Sequence, residues 1–346
     1  MTMKKRISDA RLTEAVITTN ILSCLAEVAE ERGLDCRHWF SGLGLTREQI
    51  HDASVRVSYR QARLVLKRAL RSLTDPGLGL DVGSRQNIGN FGVLGLAMMT
   101  ARTFGDALAI SVEHHRITGS LVDLDFEALD ATRIAIIVRQ RYPDADLLPF
   151  LCEELLSSSL MVCRTLVGES FRPRLMELAY PAPAHADRYA ALFGCEVRFG
   201  ALESRAIIDT RWLEFALPTY NPITAQQSLA LCEAQSAALP AQNEITDAVA
   251  RLLRSRLAHN PMLADIASTL NLTERTLRRQ LTAAGVGFKQ LHDRIRSEHA
   301  TGLLQKADLT IAEIGTAVGF RDVREFRRAF KRWTGVPPRA MRNAGL

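Results

Sequence analysis

The residues best suited to chemistry in this chain are arginines in two short stretches. Thr273 to Leu281 reads TERTLRRQL, and Arg321 to Trp333 reads RDVREFRRAFKRW. Wound into helices, they gather Arg275, Arg278 and Arg279 on one side of the first, and Arg324, Arg327 and Arg328 on one side of the second. A guanidinium is a planar fork of donors that can bond two acceptors together. Two partners suit it: the paired acceptors on the major-groove edge of guanine, and phosphate oxygens. For either stretch alone, a solvated basic helix face is the competing explanation.

The charge distribution separates these explanations. The 346 residues carry a net charge of +6. From Gln242 onward there are 18 Lys and Arg against 10 Asp and Glu, a net of +8, while the preceding residues are net −2. The positive surplus is C-terminal, which points to a polyanion as partner for that part.

Each stretch needs a second helix to hold it, and the sequence supplies one twice. Leu263-Ala264-Asp265-Ile266 corresponds to Ile311-Ala312-Glu313-Ile314, Leu270-Asn271-Leu272 to Val318-Gly319-Phe320, and Leu277-Arg278-Arg279 to Phe326-Arg327-Arg328. Two copies are too few for a solenoid and fit a duplicated module. In the first copy, Asn260 and Pro261 read as a cap and a helix-starting proline. Leu263, Ile266, Ala267 and Leu270 form a buried stripe, Asn271 takes a left-handed turn, and Thr273 caps a helix packed through Leu277 and Leu281. In the second, Thr310 caps, Ile311 and Ile314 pack, Gly319 turns and Asp322 caps. Phe326 and Phe330 face inward, and Val323, Arg324, Arg327 and Arg328 point away. Both copies have the logic of a helix-turn-helix, and their agreement disfavours the solvated-face explanation. Between them, 288–307 reads as one helix of about twenty residues, or ~30 Å. That is close to the ~34 Å turn of DNA, so both modules can reach successive major grooves.

The preceding residues read as an α+β domain. Helices are expected at 13–33 (with Leu22, Leu25 and Val28 on one face and Gly33 as the stop), 58–73, 103–115, 148–167 and 184–193. Thr46 is placed to cap a brief helix. Alternating segments at 121–126, 132–140, 175–179, 196–199 and 206–208 read as strands. The glycine-rich run 77–95 breaks the second helix and makes tight turns, with no phosphate-binding pattern after a strand. The proline-punctuated 218–242 reads as a linker containing some helix.

Ile311 to Arg342, IAEIGTAVGFRDVREFRRAFKRWTGVPPRAMR, resembles the C-terminal signature of the AraC/XylS family of bacterial transcription regulators. The likeness extends over about the last hundred residues. It implies that Arg275, Arg278 and Arg279 occupy base- or phosphate-contacting places in a first reading helix. Val323, Arg324, Glu325, Arg327 and Arg328 would do so in a second. The turn Ala283–Gly287 is shorter than in many members. The N-terminal part does not resemble the all-β sugar-binding barrel of the founding member. Through Gly89 to His115 it is similar to ornithine-utilisation-type and related virulence regulators (OruR/VirS-like), which implies effector sensing and oligomerisation.

The fold expected is therefore an α+β N-terminal sensor and dimerisation domain (1–217), a linker (218–242), and an all-α DNA-binding domain (243–346). The last holds two helix-turn-helix modules (262–282 and 310–331) joined by a long helix. The resemblance implies double-stranded promoter DNA, a small-molecule effector and a second copy of the chain as partners. It implies RNA polymerase as well if the protein activates, which is the commoner outcome in the family.

No catalytic constellation, cofactor or metal is expected. Glu153 and Glu154 beside Cys152 have no base or nucleophile paired with them in sequence, and His114-His115-Arg116 reads as the cationic end of a helix. The Ser157-Ser158-Ser159 run interrupts an apolar helix and could line a cavity or a subunit contact. Cys24, Cys36, Cys152, Cys163, Cys195 and Cys232 lie far apart, with no CxxC pair. With no apolar run long enough to span a membrane and no leader-like start, a cytoplasmic location is expected. The competing functions are a DNA-targeted enzyme such as a repair alkyltransferase, which the cysteine spacing disfavours, and an effector-independent DNA-bridging dimer.

Overall fold

The computed structural model describes residues 10–52, 54–74, 76–237, 243–305 and 309–344. The basic chain start, the end of the expected linker (238–242) and the end of the expected long helix (306–307) lie outside the described residues. The chain divides into two compact units. One is built mainly from Val16–Trp39 and Arg47–Ala241, the other from Gln242–Leu346 with the short segments Thr13–Ala15 and Phe40–Thr46.

The first unit opens with β1 (Ala15–Thr18), α1 (Asn20–Glu31), β2 (Arg56–Ser58) and α2 (Tyr59–Ser72). The helix expected from residue 13 starts only at Asn20. Before it, the AVIT run is alternately buried and pairs with β2, as its β-branched residues favour. Leu22, Leu25 and Val28 are buried as expected, and Gly33 is left-handed at φ 69°. The brief helix that follows Thr46 is a 3₁₀ turn, Glu48–His51, with Arg47 at its N-cap position. Ser58 does cap α2. Its hydroxyl accepts from the Gln61 N–H at 3.0 Å, and the Gln61 side chain accepts from the Ser58 N–H at 2.9 Å.

Next come α3 (Leu78–Arg85), α4 (Gly92–Thr100), α5 (Phe104–His114), β3 (Val122–Ala128), β4 (Arg133–Gln140) and α6 (Leu148–Val167). Then follow β5 (Leu175–Leu178), α7 (Ala186–Phe193), β6 (Glu196–Phe199), β7 (Ser204–Asp209) and α8 (Pro222–Ala237), which packs on α4. Five strands form a sheet in the order β3-β4-β7-β5-β6, antiparallel except for the β5–β6 pair that α7 connects. One face looks toward α6. On the other, Ala135, Ile137 and Ile207 are buried beside Arg205, which pairs with Glu127, Glu177 and Glu203. His114 and His115 are both buried at the end of α5. The His114 ring bonds Ser236, and the His115 ring bonds the Val112 carbonyl.

The glycine-rich run holds a helix, α3, where tight turns were expected. Gly79 and Gly83 are one turn apart and let α3 lie directly on α6. A Cβ at Gly79 would stand 2.5 Å from the Glu153 Cβ, and one at Gly83 would meet the Glu154 carbonyl. This approach buries two acidic side chains. The Glu153 carboxylate accepts from the Gly79 N–H at 3.1 Å, Tyr189 at 2.5 Å and the His185 ring at 2.6 Å. Among the described residues Glu154 receives only the Gln86 amide at 2.6 Å, and burial pushes its pKa up from 4.5 to about 7.

A carboxyl whose folded pKa lies above its unfolded one contributes stability below the unfolded value, near pH 4.5. That contribution is lost as pH rises through about 7. Replacing Glu154 by Gln keeps an acceptor for Gln86 and removes the ionisation. Chemical denaturation should show Glu154→Gln more stable than the parent at pH 8 by roughly 2–3 kcal/mol and no more stable at pH 5. The same difference at both pH values would mean that Glu154 does not titrate in this range.

The second unit is helical: α9 (Glu244–Ser255), α10 (Leu263–Thr269), α11 (Glu274–Ala283), α12 (Phe288–Gln305), α13 (Ile311–Ala317), α14 (Val323–Thr334) and α15 (Pro338–Ala344). One continuous core runs through it, from Val249 and Leu253 through Ile266, Leu277, Leu291 and Ile295 to Ile314 and Phe326. Neither α10–α11 nor α13–α14 buries its apolar stripe alone: α10 and α11 pack on α9, α13 and α14 pack on α12, and α9 packs on α12.

Candidate nucleic-acid interface

The two modules are built by the same backbone chemistry. At the end of α10, Asn271 is left-handed at φ 53°, its N–H bonds the Ser268 carbonyl at 3.0 Å, and the Leu272 N–H bonds Ala267 at 2.8 Å. At the end of α13, Gly319 is left-handed at φ 82°, its N–H bonds Thr316 at 2.9 Å, and the Phe320 N–H bonds Gly315 at 2.9 Å. Both are Schellman ends that satisfy otherwise orphaned carbonyls. The next helices start alike. Thr273 accepts from the Thr276 N–H at 3.2 Å, and Asp322 from the Arg324 N–H at 2.8 Å.

The start of α10 differs from expectation. Asn260 is left-handed at φ 51° and ends the preceding 3₁₀ turn, so Pro261 does not begin the helix. The helix begins at Leu263, with Met262 at the N-cap position, where Asp265 accepts the Met262 N–H at 2.8 Å.

The caps set the phase of α11 and α14. Leu277 and Leu281 are buried in one, Phe326 and Phe330 in the other. Arg275, Arg278, Arg279, Arg324, Glu325, Arg327 and Arg328 are consequently all exposed. Val323 departs from the outward position expected for it: it is half-buried and leans on the core. Arg278 pairs loosely with Glu274 at 3.9 Å. Among the described residues, Arg275, Arg279, Arg324, Arg327 and Arg328 have no acidic partner within 4.0 Å, so their charge faces solvent. Arg332, one turn further along α14, is held by Asp293 of α12 at 3.4 Å.

Sequence reading missed the residue that ties the modules together. Arg296 of α12 is buried. Its guanidinium donates to the Asn260 side-chain oxygen at 2.6 Å and the Gly319 carbonyl at 3.4 Å, and lies 4.7 Å above the Phe320 ring. Asn260 leads into the first module, while Gly319 and Phe320 form the turn of the second. A basic residue between Leu291, Ile295 and Ala300 on a helix was the available signal. His292 beside it is pushed down to about 4, first by burial and then by the Arg296 charge, so it is neutral at physiological pH.

Two helix-turn-helix modules on one core, each presenting unpaired arginines, define a DNA-binding regulator. The comparisons place it further. The family description "Arabinose-binding domain of AraC transcription regulator, N-term" matches residues 33–217, and "Helix-turn-helix domain" matches 266–344. The ornithine utilization regulator of Pseudomonas aeruginosa is 30% identical over 332 residues, 96% of this chain and 98% of that protein. The regulator VqsM of the same organism is 26% identical over 276 residues, 77% of this chain and 83% of that one. The crystal structure of the regulator CdpR from P. aeruginosa aligns over 94% of this chain and 98% of that chain, with 21% identity and a TM-score of 0.49. The chain belongs to the AraC family of transcription regulators. Its N-terminal sheet is open and flanked by helices, as expected from the lack of resemblance to an all-β barrel. Among the described residues no helix is long and apolar enough to cross a membrane, and no cluster of His, Cys, Asp and Glu could hold a metal ion.

The turn of the second module is exacting. A Cβ at Gly319 would lie 2.5 Å from the Leu257 carbonyl, on a backbone already at positive φ. Gly319→Ala should cost about 1–3 kcal/mol in thermal or urea unfolding, whereas Asn271→Gly should change stability by less than about 1 kcal/mol. A neutral Gly319→Ala would show that the turn relaxes freely.

Proposed function

We propose that this regulator reads promoter DNA with both arginine faces, as a homodimer whose DNA affinity answers to a small effector, and that it activates transcription by engaging RNA polymerase. The matched arginine faces of α11 and α14 carry the DNA reading. On it, Arg275, Arg278 and Arg279 enter one major groove. Arg324, Arg327 and Arg328 enter the next, with Glu325 able to accept from a cytosine amine. Eighteen residues of α12 separate the modules by roughly 27 Å at 1.5 Å per residue, close to one DNA turn. Val323, leaning inward, is suited to apolar contact with a thymine methyl at most.

Self-association is supported by α8. Ile223 is 68% exposed and Leu231 54%, two turns apart on a helix whose single charged residue is Glu233. Activation rests on the names of relatives matched over the C-terminal region, such as the activator PerA of Escherichia coli, 30% identical over 95 residues.

Full-length protein with Arg278→Ala or Arg324→Ala should lose about 1–3 kcal/mol of operator affinity and relax its preference at one base pair of the matching half-site. Fluorescence anisotropy on an operator and its point variants would measure both. Affinity should also fall steeply with salt, log K dropping by about 0.9 per phosphate contact for each tenfold increase. Unchanged affinity and preference in both variants would remove these helices from the interface.

A further inference from the structure

Arg296 is an expensive way to fill a core. It is buried on α12, and among the described residues no carboxylate lies within 4.0 Å of it. Asp293, one turn back on the same helix, is engaged by Arg332. The buried Nε of Arg296 has no partner among the described residues either. Taking a guanidinium out of water without a counterion is costly, and an unbranched apolar side chain of similar length would occupy the space without that cost. The use of the charge lies in what it bonds.

Nη2 donates to the Asn260 side-chain oxygen and to the Gly319 carbonyl, and the guanidinium lies over the ring of Phe320. Both acceptors stand at left-handed points of the backbone where a module changes direction. Asn260 ends the 3₁₀ turn Leu257–His259, and α10 starts just beyond it. Gly319 turns the chain from α13 into α14. The two points meet. The Leu257–His259 turn packs on α13, and a Cβ at Gly319 would stand 2.5 Å from the Leu257 carbonyl and 3.3 Å from the Asn260 Cβ. The entrance to the first module and the turn of the second are one place in the structure. A tilt there changes the angle between α11 and α14.

DNA converts that angle into a spacing. One base pair advances the duplex by ~3.4 Å and turns it by ~34–36°. A reader with locked modules keeps both helices in their grooves at one half-site spacing. A reader with hinged modules follows a half-site displaced by one base pair.

We propose that Arg296 is a positioning residue for spacing: by bonding Asn260 and Gly319 together it fixes the number of base pairs that the protein accepts between its two half-sites. This rests on the reading of two grooves proposed above and goes beyond it by naming the group that sets the spacing.

The test uses the full-length protein and a duplex that it selects from a random-sequence library. Arg278→Ala and Arg324→Ala locate the two half-sites, and one base pair is then inserted or removed between them. Fluorescence anisotropy should show the parent losing affinity about 10- to 100-fold on either altered duplex, the worth of one base-reading pair. Arg296→Met should bind the altered duplexes within about threefold of the selected one, less than a lost base contact. It should also unfold at no lower urea concentration than the parent, because the apolar chain carries no desolvated charge. Asn260→Gly keeps the left-handed backbone, removes the acceptor and should relax the spacing in the same way. Asn260→Asp keeps an acceptor for Nη2 and should retain the parent's discrimination. Arg296→Met combined with Asn260→Gly should relax it no further than either alone, since both remove one bond. If Arg296→Met does not fold, the comparison of Asn260→Gly with Asn260→Asp decides. Two results would overturn the proposal while leaving the two-groove reading intact. One is a spacing discrimination in the Arg296→Met and Asn260→Gly variants equal to the parent's. The other is an equal weakening on all three duplexes, as a merely structural role requires. A parent that binds the three duplexes equally overturns the two-groove reading and the proposal with it.

Discussion

Arg296 holds Asn260 and Gly319 to one helix, and the geometry of the DNA-reading unit depends on that contact. Asn260 leads into the first module and Gly319 turns the second, and a directed bond fixes an angle that apolar packing leaves looser. A buried guanidinium is costly unless its donors are used. Here Nη2 donates to an amide oxygen and a turn carbonyl, with Phe320 beneath the charge, while the buried Nε has no partner among the described residues. Both of these bonds form only when both module ends are in place. For the proposed reading by two recognition helices this matters, because a tilt of one module against the other would move its arginines away from the second groove.

The same principle of one helix serving two masters shapes the N-terminal unit. α6 presents glutamates to α3 on one side and an apolar wall to the sheet on the other. Gly79 and Gly83 bring α3 close enough for Glu153 to find a backbone N–H, a tyrosine and a histidine. Glu154, one residue on, receives a single amide among the described residues and is left sensitive to pH. Along the serine run, Ser157 and Ser158 return their hydroxyls to helix carbonyls, so their polarity is spent within α6.

Much of the DNA-binding unit is legible in the sequence. Thr273, Thr310 and Asp322 mark helix starts because a short oxygen-bearing side chain satisfies a nearby N–H. Asn271 and Gly319 mark turns because they tolerate positive φ. These are contacts within four residues, and the chain carries them on its face. The N-terminal reading erred where such local rules compete. The AVIT run before Asn20 fits a helical stripe or a strand equally well, and pairing with β2 decides it. The glycines between Gly77 and Gly95 look like breakers, yet two of them are the contact surface of α3. Asn260-Pro261 resembles a helix start, but Asn260 turns left-handed to meet Arg296.

The sequence by itself determined the duplicated modules, their caps and turns, the phase that turns the arginines outward, and the charge that suits a polyanion. All follow from spacing and short-range hydrogen bonding. The tertiary structure alone decided which groups far apart in the chain meet. Arg296 reaches Asn260 across 36 residues, and Glu153 reaches Gly79 across 74. Bringing such groups together depends on how helices and strands pile against one another, which local spacing does not encode.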